Sequence, residues 1–210
     1  MQKAGRELQK KTIRATEQDR SDVVEARFVW QETSEQVDAE RLVFLDETGL
    51  TTDMMRLRGW AFEGRRVVDA APGGHWQTNT LVSAIHADGV VAAMVLDGPL
   101  NGESFEGFCR YYLGPALQPG QIVVLDNLSS HKSAAAEQWI RQAGASVAFL
   151  PPYSPDLNPI ENIFSKTKQL IRGLRPRSWQ QIIDAAKKSL LAVTANDCIN
   201  AIQHCGYKFC

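Results

Sequence analysis

Three carboxylates stand in this 210-residue chain at places from which a folded sheet could bring them together. Asp46 ends the apolar run RLVFLD, Asp126 ends the apolar run QIVVLD, and Glu161 lies late in the stretch FLPPYSPDLNPIEN. Converging carboxylates repel one another, and their pKa values rise unless cations lie between them. Oxygen ligands suit Mg²⁺ or Mn²⁺, and a pair of such ions can activate a nucleophile and stabilise the leaving oxygen of a phosphodiester. The candidate chemistry is therefore metal-dependent phosphoryl transfer.

Each acid also has a purely structural interpretation. An Asp at the end of an apolar strand often forms a turn or caps a helix, and a Glu in the first turn of a helix complements the helix dipole. The order of the acids favours the catalytic interpretation. Asp126 and Glu161 are separated by 34 residues, enough for one helix, one strand and one loop to return to the same edge of a sheet.

The stretch 149–162, which contains Glu161, carries four of the nine prolines of the chain. Proline fixes its own φ and restricts the residue before it to extended geometry, so this density predicts a stiff connector between a strand and a helix. Pro159 suits the first turn of a helix, where its missing N–H costs nothing. We expect the connector to hold Glu161 toward Asp46 and Asp126.

The elements that must position these acids follow from the spacing of apolar and turn-forming residues. Short apolar runs predict five strands, at 41–46, 78–86, 90–96, 121–126 and 146–150. Longer segments predict helices at 17–37, 101–117 and 130–143, and further helices that begin at 159, 178 and 196. This order predicts an α/β fold in which helices flank a mixed five-stranded sheet, with a hairpin at one edge.

Composition limits the class of protein. The formal net charge is −1, the four cysteines form no CxxC pair, and no apolar leader near the N-terminus suggests secretion. No apolar run reaches the roughly 20 residues of a membrane span. We expect a reducing, cytoplasmic location. Basic side chains gather at 160–190, where they could form a phosphate-facing surface or an ordinary solvated helix face.

The segments LVFLDETG, IVVLDN followed by SSH, and FLPPYSPDLNPIEN resemble the catalytic motifs of mariner-superfamily DDE transposases, especially the bacterial insertion-sequence branch. The resemblance covers residues 42–172 and implies a ribonuclease H-like fold. It further implies that Asp46, Asp126 and Glu161 are a catalytic triad that binds two Mg²⁺ or Mn²⁺ ions. The implied activity is cleavage of DNA at element ends and transfer of the strand to target DNA, by a dimer associated with the nucleoid.

Neighbouring residues are candidates for supporting roles. Asn127 and His131 could orient a ligand or contact DNA, although helix capping by Ser129 or Ser130 is an equal alternative. Asn162 could steady Glu161 or contact the phosphate backbone.

The basic residues that follow Glu161 are candidates for contacts with DNA, and these are Lys166, Lys168 and Arg172. Arg56, Arg58 and Trp60 fall where related proteins have a loop near the DNA. For Trp60 we expect packing under that loop.

We expect a helical arm at 1–40, a ribonuclease H-like catalytic domain at 41–175 and a helical extension packed on the core at 176–210. Related proteins usually carry a helix-turn-helix region before the first aspartate, but only 45 residues precede Asp46 here. We expect either a truncated copy or the second reading frame of an element, in which case an upstream frame supplies that region. A non-catalytic remnant and a stand-alone DNA endonuclease of the same fold are the alternatives.

Overall fold

The computed structural model describes residues 15–56, 58–70, 73, 76–127 and 133–210. Its centre is one five-stranded sheet with the strand order β3-β2-β1-β4-β5. The strands are β1 (Leu42–Thr51), β2 (Thr78–His86), β3 (Gly89–Asp97), β4 (Ile122–Leu125) and β5 (Ser146–Phe149). The predicted mixed five-stranded sheet is confirmed.

The central strand β1 pairs in opposite senses on its two sides. It runs antiparallel to β2 and parallel to β4, and β4 in turn runs parallel to β5. The strands β2 and β3 form the predicted hairpin at one edge. Gly89 begins β3 with a φ of 136°, a value open to glycine but strained for residues with a side chain.

In the described part of the chain, six α-helices flank the sheet: α1 (Ser21–Ser34), α2 (Gly102–Phe108), α3 (Ala134–Gln142), α4 (Ile160–Leu174), α5 (Trp179–Leu191) and α6 (Ala195–His204). Four of them begin at a residue whose side chain accepts a hydrogen bond from the first helical turn, which satisfies a backbone donor that would otherwise lack a partner. These caps are Asn101, Ser133, Ser178 and Thr194. The cap of α3 is Ser133, and the predicted capping residues Ser129 and Ser130 lie outside the described residues.

Alternating side chains of β1 divide the core between the two faces of the sheet. Phe44 belongs to the cluster with helices α4, α5 and α6, whereas Val43 and Leu45 belong to the cluster with α2 and α3. Successive strand residues point to opposite faces, so each strand contributes to both clusters. Val124 of β4 lies in the same cluster as Phe44, its partner in the ladder.

The prediction that the first strand ends at Asp46 was wrong. β1 continues to Thr51 because its other edge remains paired with β2, through Glu47↔Val82 and on to Thr51↔Thr78. The residues Glu47, Thr48 and Gly49 have the composition of a turn, yet the antiparallel ladder with β2 holds them extended. Asp46 thus lies within β1, one residue beyond the end of its pairing with β4.

The C-terminal helices contribute to the main core. Ile182 of α5 and Ile202 of α6 are fully buried in the cluster that contains Phe44. The ring of Tyr207 packs against Phe44 with 4.9 Å between ring centroids. The proposed boundaries at 40 and 175 stay predictions. Within the described part of the chain, no helix is long and apolar enough to cross a membrane.

Candidate active site

The parallel register of β1 and β4 brings the two aspartates side by side. Leu45 pairs with Leu125, and Asp46 and Asp126 are the next residues on the two strands. Both aspartates follow the alternation that places Phe44 and Val124 on the α4 side of the sheet. Their carboxylates therefore lie on the face from which α4 approaches.

Asp46 is buried, with 7% of its surface exposed, and both of its carboxylate oxygens accept hydrogen bonds. The backbone N–H of Glu47 donates to Oδ1 at 2.8 Å, and the side-chain amide of Asn158 donates to Oδ2 at 2.8 Å. Burial, and next the charge of Asp126, raise the pKa of Asp46 to about 7, although the Glu47 bond opposes the shift. A nearby cation would stabilise the charged form of this buried carboxylate.

Glu161 approaches from the first turn of α4, as the position of Pro159 predicted. The residue is exposed, yet partial desolvation of its carboxylate raises its pKa. The charge of Lys168 opposes that rise, and the charge of Asp126 adds to it. Since the charge of Glu161 also contributes to the raised pKa of Asp46, all three carboxylates are coupled electrostatically.

The donor set fits a hard divalent cation. All three side chains offer carboxylate oxygens, which Mg²⁺ and Mn²⁺ prefer, and their mutual repulsion is what a bound cation would relieve. Among the described residues, no three Asp, Glu, His or Cys side chains are already gathered as a group that could hold a metal ion. The observations in favour of the fit are that Asp46 and Asp126 follow the last paired residues of two adjacent strands and line one cavity, and that the charge of Glu161 also acts on Asp46.

A cavity of about 490 Å³ opens beside the two aspartates. One side of it carries carboxylate and amide groups, and the other side is the proline-rich connector. Its lining consists of Asp46, Asp126, Asn127, Leu150, Pro151, Pro152, Tyr153, Ser154, Pro155 and Asn158. The connector thus forms a wall of the site in addition to leading to Glu161.

The N-terminal segment holds the outer side of this connector. Gln18 donates to the backbone oxygen of Tyr153 at 2.6 Å, and Arg27 of α1 donates to Ser154 Oγ at 2.8 Å. Arg27 also forms a two-pronged ion pair with Asp156, at 2.9 and 2.6 Å. These contacts span more than 120 positions of the sequence.

The C-terminus holds the inner side of the connector. Tyr207 is buried, and its hydroxyl donates to the backbone oxygen of Leu157 at 2.7 Å. The same hydroxyl accepts a hydrogen bond of 3.0 Å from the indole N–H of Trp30. The residue before Asn158 is therefore fixed by a buried hydrogen-bonded chain.

Asn158 is a site residue that sequence reasoning missed. It is 2% exposed, donates to Asp46 and lies on the cavity wall. Its carbonyl oxygen Oδ1 is buried, and no hydrogen-bond partner for it is found among the residues the structure describes. The available signal was a polar amide between Leu157 and Pro159 in an otherwise apolar part of the connector.

The predicted supporting residues differ in where they lie relative to the cavity and to Glu161. Asn127 is exposed and lines the cavity, whereas His131 lies outside the described residues. Lys168 stands seven positions after Glu161, two helical turns further on the same face, and its charge acts on Glu161. Arg172 lies one turn beyond and acts on Lys168, whose pKa is lowered mainly by burial.

Two other predicted residues face away from the carboxylates. Lys166 forms an ion pair of 2.5 Å with Asp197 of α6. The amide of Asn162 is directed to Cys205 Sγ, at 3.8 Å, and this contact does not involve Glu161. Both contacts tie α4 to α6.

The predictions for the segment that follows β1 were partly wrong. Trp60 is fully exposed, so the expected packing under the loop was wrong. The neighbouring backbone offers it no cover, since residues 58 to 70 are all exposed. Arg56 instead packs its guanidinium against the backbone of Gly173, where an added Cβ would lie 2.7 Å from its Nη2.

Comparison with known proteins identifies a family that the chain matches. A family profile described as "DDE superfamily endonuclease" matches residues 41–183, more than half of the chain. The Tcb2 transposase of a transposable element of Caenorhabditis briggsae is 34% identical over 59 residues, which are 28% of this chain and 22% of that protein.

Solved structures of the Mos1 mariner transposase share the fold. The Mos1 transposase paired-end complex with the left transposon end matches with a TM-score of 0.73 at 18% identity, over 97% of this chain and 62% of that chain. The mariner Mos1 paired-end complex with Mg matches with a TM-score of 0.71 at 17% identity, over 98% and 64%. These likenesses confirm the ribonuclease H-like fold. The chain spans less than two thirds of each of these relatives.

Proposed function

The chain belongs to the DDE superfamily endonuclease family, and from this premise we propose that it acts as the catalytic domain of a transposase. The proposed reaction is metal-dependent cleavage of a DNA strand, followed by transfer of the freed 3′ end to a target strand. The observation that carries the proposal is that Asp46 and Asp126 lie side by side where β1 and β4 cease to pair and line one cavity, with Glu161 coupled to both from the first turn of α4.

We assign the metal-binding role to these three carboxylates. They would hold Mg²⁺ or Mn²⁺, and the bound cation supplies Lewis-acid activation of the attacking hydroxyl and neutralises the leaving oxygen. The relative solved with Mg supports this choice of metal. The hydrogen bonds from Glu47 and Asn158 orient the Asp46 carboxylate, and the start of α4 positions Glu161.

The DNA would lie along the outer face of α4. Lys168 and Arg172 follow Glu161 on one face of the helix, where they can neutralise backbone phosphates on either side of the reacting one. Asn127, at the cavity wall next to Asp126, is placed to contact the same strand. His131 is retained as a candidate of the same kind from its position in the DNxxxH arrangement.

The finer parts of the proposal concern the biological setting. The motif strings favour an insertion sequence of the bacterial branch, with the element ends and target DNA as substrates and action at the nucleoid. The active complex is proposed to be a dimer. Sedimentation of the chain with and without a DNA duplex tests the dimer directly, because a monomer in both states contradicts it.

The test of the activity is nicking of supercoiled plasmid DNA. Wild type is expected to convert plasmid to the nicked form with Mn²⁺ or Mg²⁺, and not with EDTA. Asp126→Ala is expected to lose this activity, since one metal ligand is removed while the variant stays folded by circular dichroism. Asp88→Asn, an exposed carboxylate in the β2–β3 turn at the far end of the sheet, is the matched control and should retain activity. Metal-dependent nicking that persists in Asp126→Ala overturns the proposal.

A further inference from the structure

Tyr153 has an unusual backbone conformation for its residue type. Its φ is 55°, and only one other described non-glycine residue, Arg175, has a positive φ. Side chains crowd the backbone in this left-handed region, so a bulky residue remains there only where its surroundings hold it. Such conformations are concentrated at ligand-binding positions, which makes the surroundings of Tyr153 informative.

Three hydrogen bonds hold the backbone around Tyr153. Gln18 donates to the Tyr153 carbonyl oxygen at 2.6 Å. On the next residue, Ser154 Oγ donates to the Pro152 carbonyl oxygen at 3.0 Å and accepts from Arg27 at 2.8 Å. The backbone on both sides of Tyr153 is thus held, and the tyrosine lines the cavity while remaining 46% exposed.

The cavity wall around Tyr153 is apolar and its floor is acidic. Pro151, Pro152 and Pro155 provide flat apolar surface beside the tyrosine, and Asp46 and Asp126 provide the acidic part. A DNA strand offers the same two chemistries, because its phosphates are anionic and need a cation at the acids, whereas the faces of its bases are flat and apolar. The strand can therefore place a phosphate at the carboxylates and a base against the tyrosine.

The size of the cavity limits what it can enclose. A volume of about 490 Å³ accommodates a nucleotide but not a base-paired duplex. A base that enters must be unpaired or turned out of its stack, and aromatic side chains are the usual partners of such bases.

We propose that Tyr153 is a nucleobase-stacking residue, whose ring packs against an unpaired base next to the phosphodiester that is bound at Asp46 and Asp126. This inference rests on the proposed function and specifies the form of its substrate. The contact would be independent of base identity, since every base has a flat face. The hydroxyl is not required for stacking, so phenylalanine should replace the tyrosine.

The test uses a 12-nucleotide single strand of thymidines with one central 2-aminopurine, titrated with protein in Mg²⁺. Stacking on an aromatic ring quenches 2-aminopurine fluorescence. Wild type and Tyr153→Phe are expected to quench it. Tyr153→Asn is expected to bind about tenfold more weakly and to lose the quenching. Asparagine tolerates a positive φ, so this variant keeps the fold, which its melting temperature checks. Tyr111→Ala, an exposed tyrosine that does not line the cavity, is the control.

The outcomes separate this inference from the proposed function. Equal quenching and equal affinity in wild type and Tyr153→Asn overturn the stacking role, even if metal-dependent nicking is intact. An absence of both nicking and oligonucleotide binding in wild type overturns the proposed function and this inference together. Loss of quenching in Tyr153→Asn with retention in Tyr153→Phe and Tyr111→Ala supports the stacking role.

Discussion

The side-chain amide of Asn158 donates a hydrogen bond of 2.8 Å to Asp46 Oδ2, although the two residues are 112 positions apart. This contact joins the proline-rich connector to the central strand β1. It leaves the position of the Asp46 carboxylate dependent on the connector as well as on its own strand.

Asn158→Ala is expected to weaken Mg²⁺ binding about tenfold, because groups that orient a metal-binding carboxylate typically matter to that extent. The measurement is isothermal titration calorimetry with Mg²⁺. Asn196→Ala, on the exposed surface of α6, is the control. Unchanged Mg²⁺ affinity in a folded Asn158→Ala variant would show that the amide does not position Asp46.

Arg27 is expected to affect the order of the connector more than the stability of the fold. Its partner Asp156 is 54% exposed, and such ion pairs contribute about 1 kcal/mol or less. Arg27→Met should therefore change the melting temperature little, while hydrogen exchange at 153–158 becomes faster and Mg²⁺ affinity falls. Arg20→Met is the control, because Arg20 pairs only with the nearby Asp22 among its described salt-bridge partners. If hydrogen exchange at 153–158 is the same in Arg27→Met and in Arg20→Met, Arg27 does not restrain the connector.

Two lysines on α4 are expected to behave differently toward DNA. Lys168 lies on the face that carries Glu161, so Lys168→Ala should reduce the slope of log affinity against log salt concentration by about 0.9, the value for one lost phosphate contact on a duplex. Lys166 is engaged with Asp197, and Lys166→Ala should lower the melting temperature but leave that slope unchanged. Fluorescence anisotropy at four salt concentrations measures the slope. A slope that is reduced in Lys166→Ala and unchanged in Lys168→Ala would mean that the DNA follows a different face of α4.

The ion pair between Lys166 and Asp197 predicts a pH dependence of stability. The Lys166 ammonium, together with hydrogen bonds from Thr194, lowers the pKa of Asp197 from the usual 3.8 to about 2. Because the folded-state pKa is the lower one, the stabilisation is present above pH 4 and is lost as the pH falls toward 2. Asp197→Asn should melt at a lower temperature than wild type at pH 7, and the difference should narrow between pH 4 and pH 2. Asp184→Asn, exposed on α5, should show no such narrowing.

The parts of the fold that local pattern determines could be predicted from the sequence. The apolar runs of β1 and β4 and the prolines before Glu161 are local signals, and they were enough to place Asp46 beside Asp126 and Glu161 in the first turn of a helix. The spacing of Lys168 from Glu161 was also readable, since seven positions are about two helical turns. The opposite orientation of Lys166 follows from the same periodicity.

The parts that long-range pairing determines could not be predicted. The extension of β1 beyond Asp46 depends on its ladder with β2, which starts some thirty residues later in the chain. The partner of Asn158 is 112 positions away, and the pairing of Arg27 with Asp156 spans 129 positions. No periodic signal marks such contacts, because they depend on how the finished elements lie together.

The measurement that tests the central claim most directly is anomalous diffraction from crystals soaked in Mn²⁺. If Asp46, Asp126 and Glu161 form the metal-binding site, an anomalous peak should lie between their carboxylates in wild type and be lost in Asp126→Asn. A peak located elsewhere, or density at these carboxylates that persists in Asp126→Asn, would contradict the account.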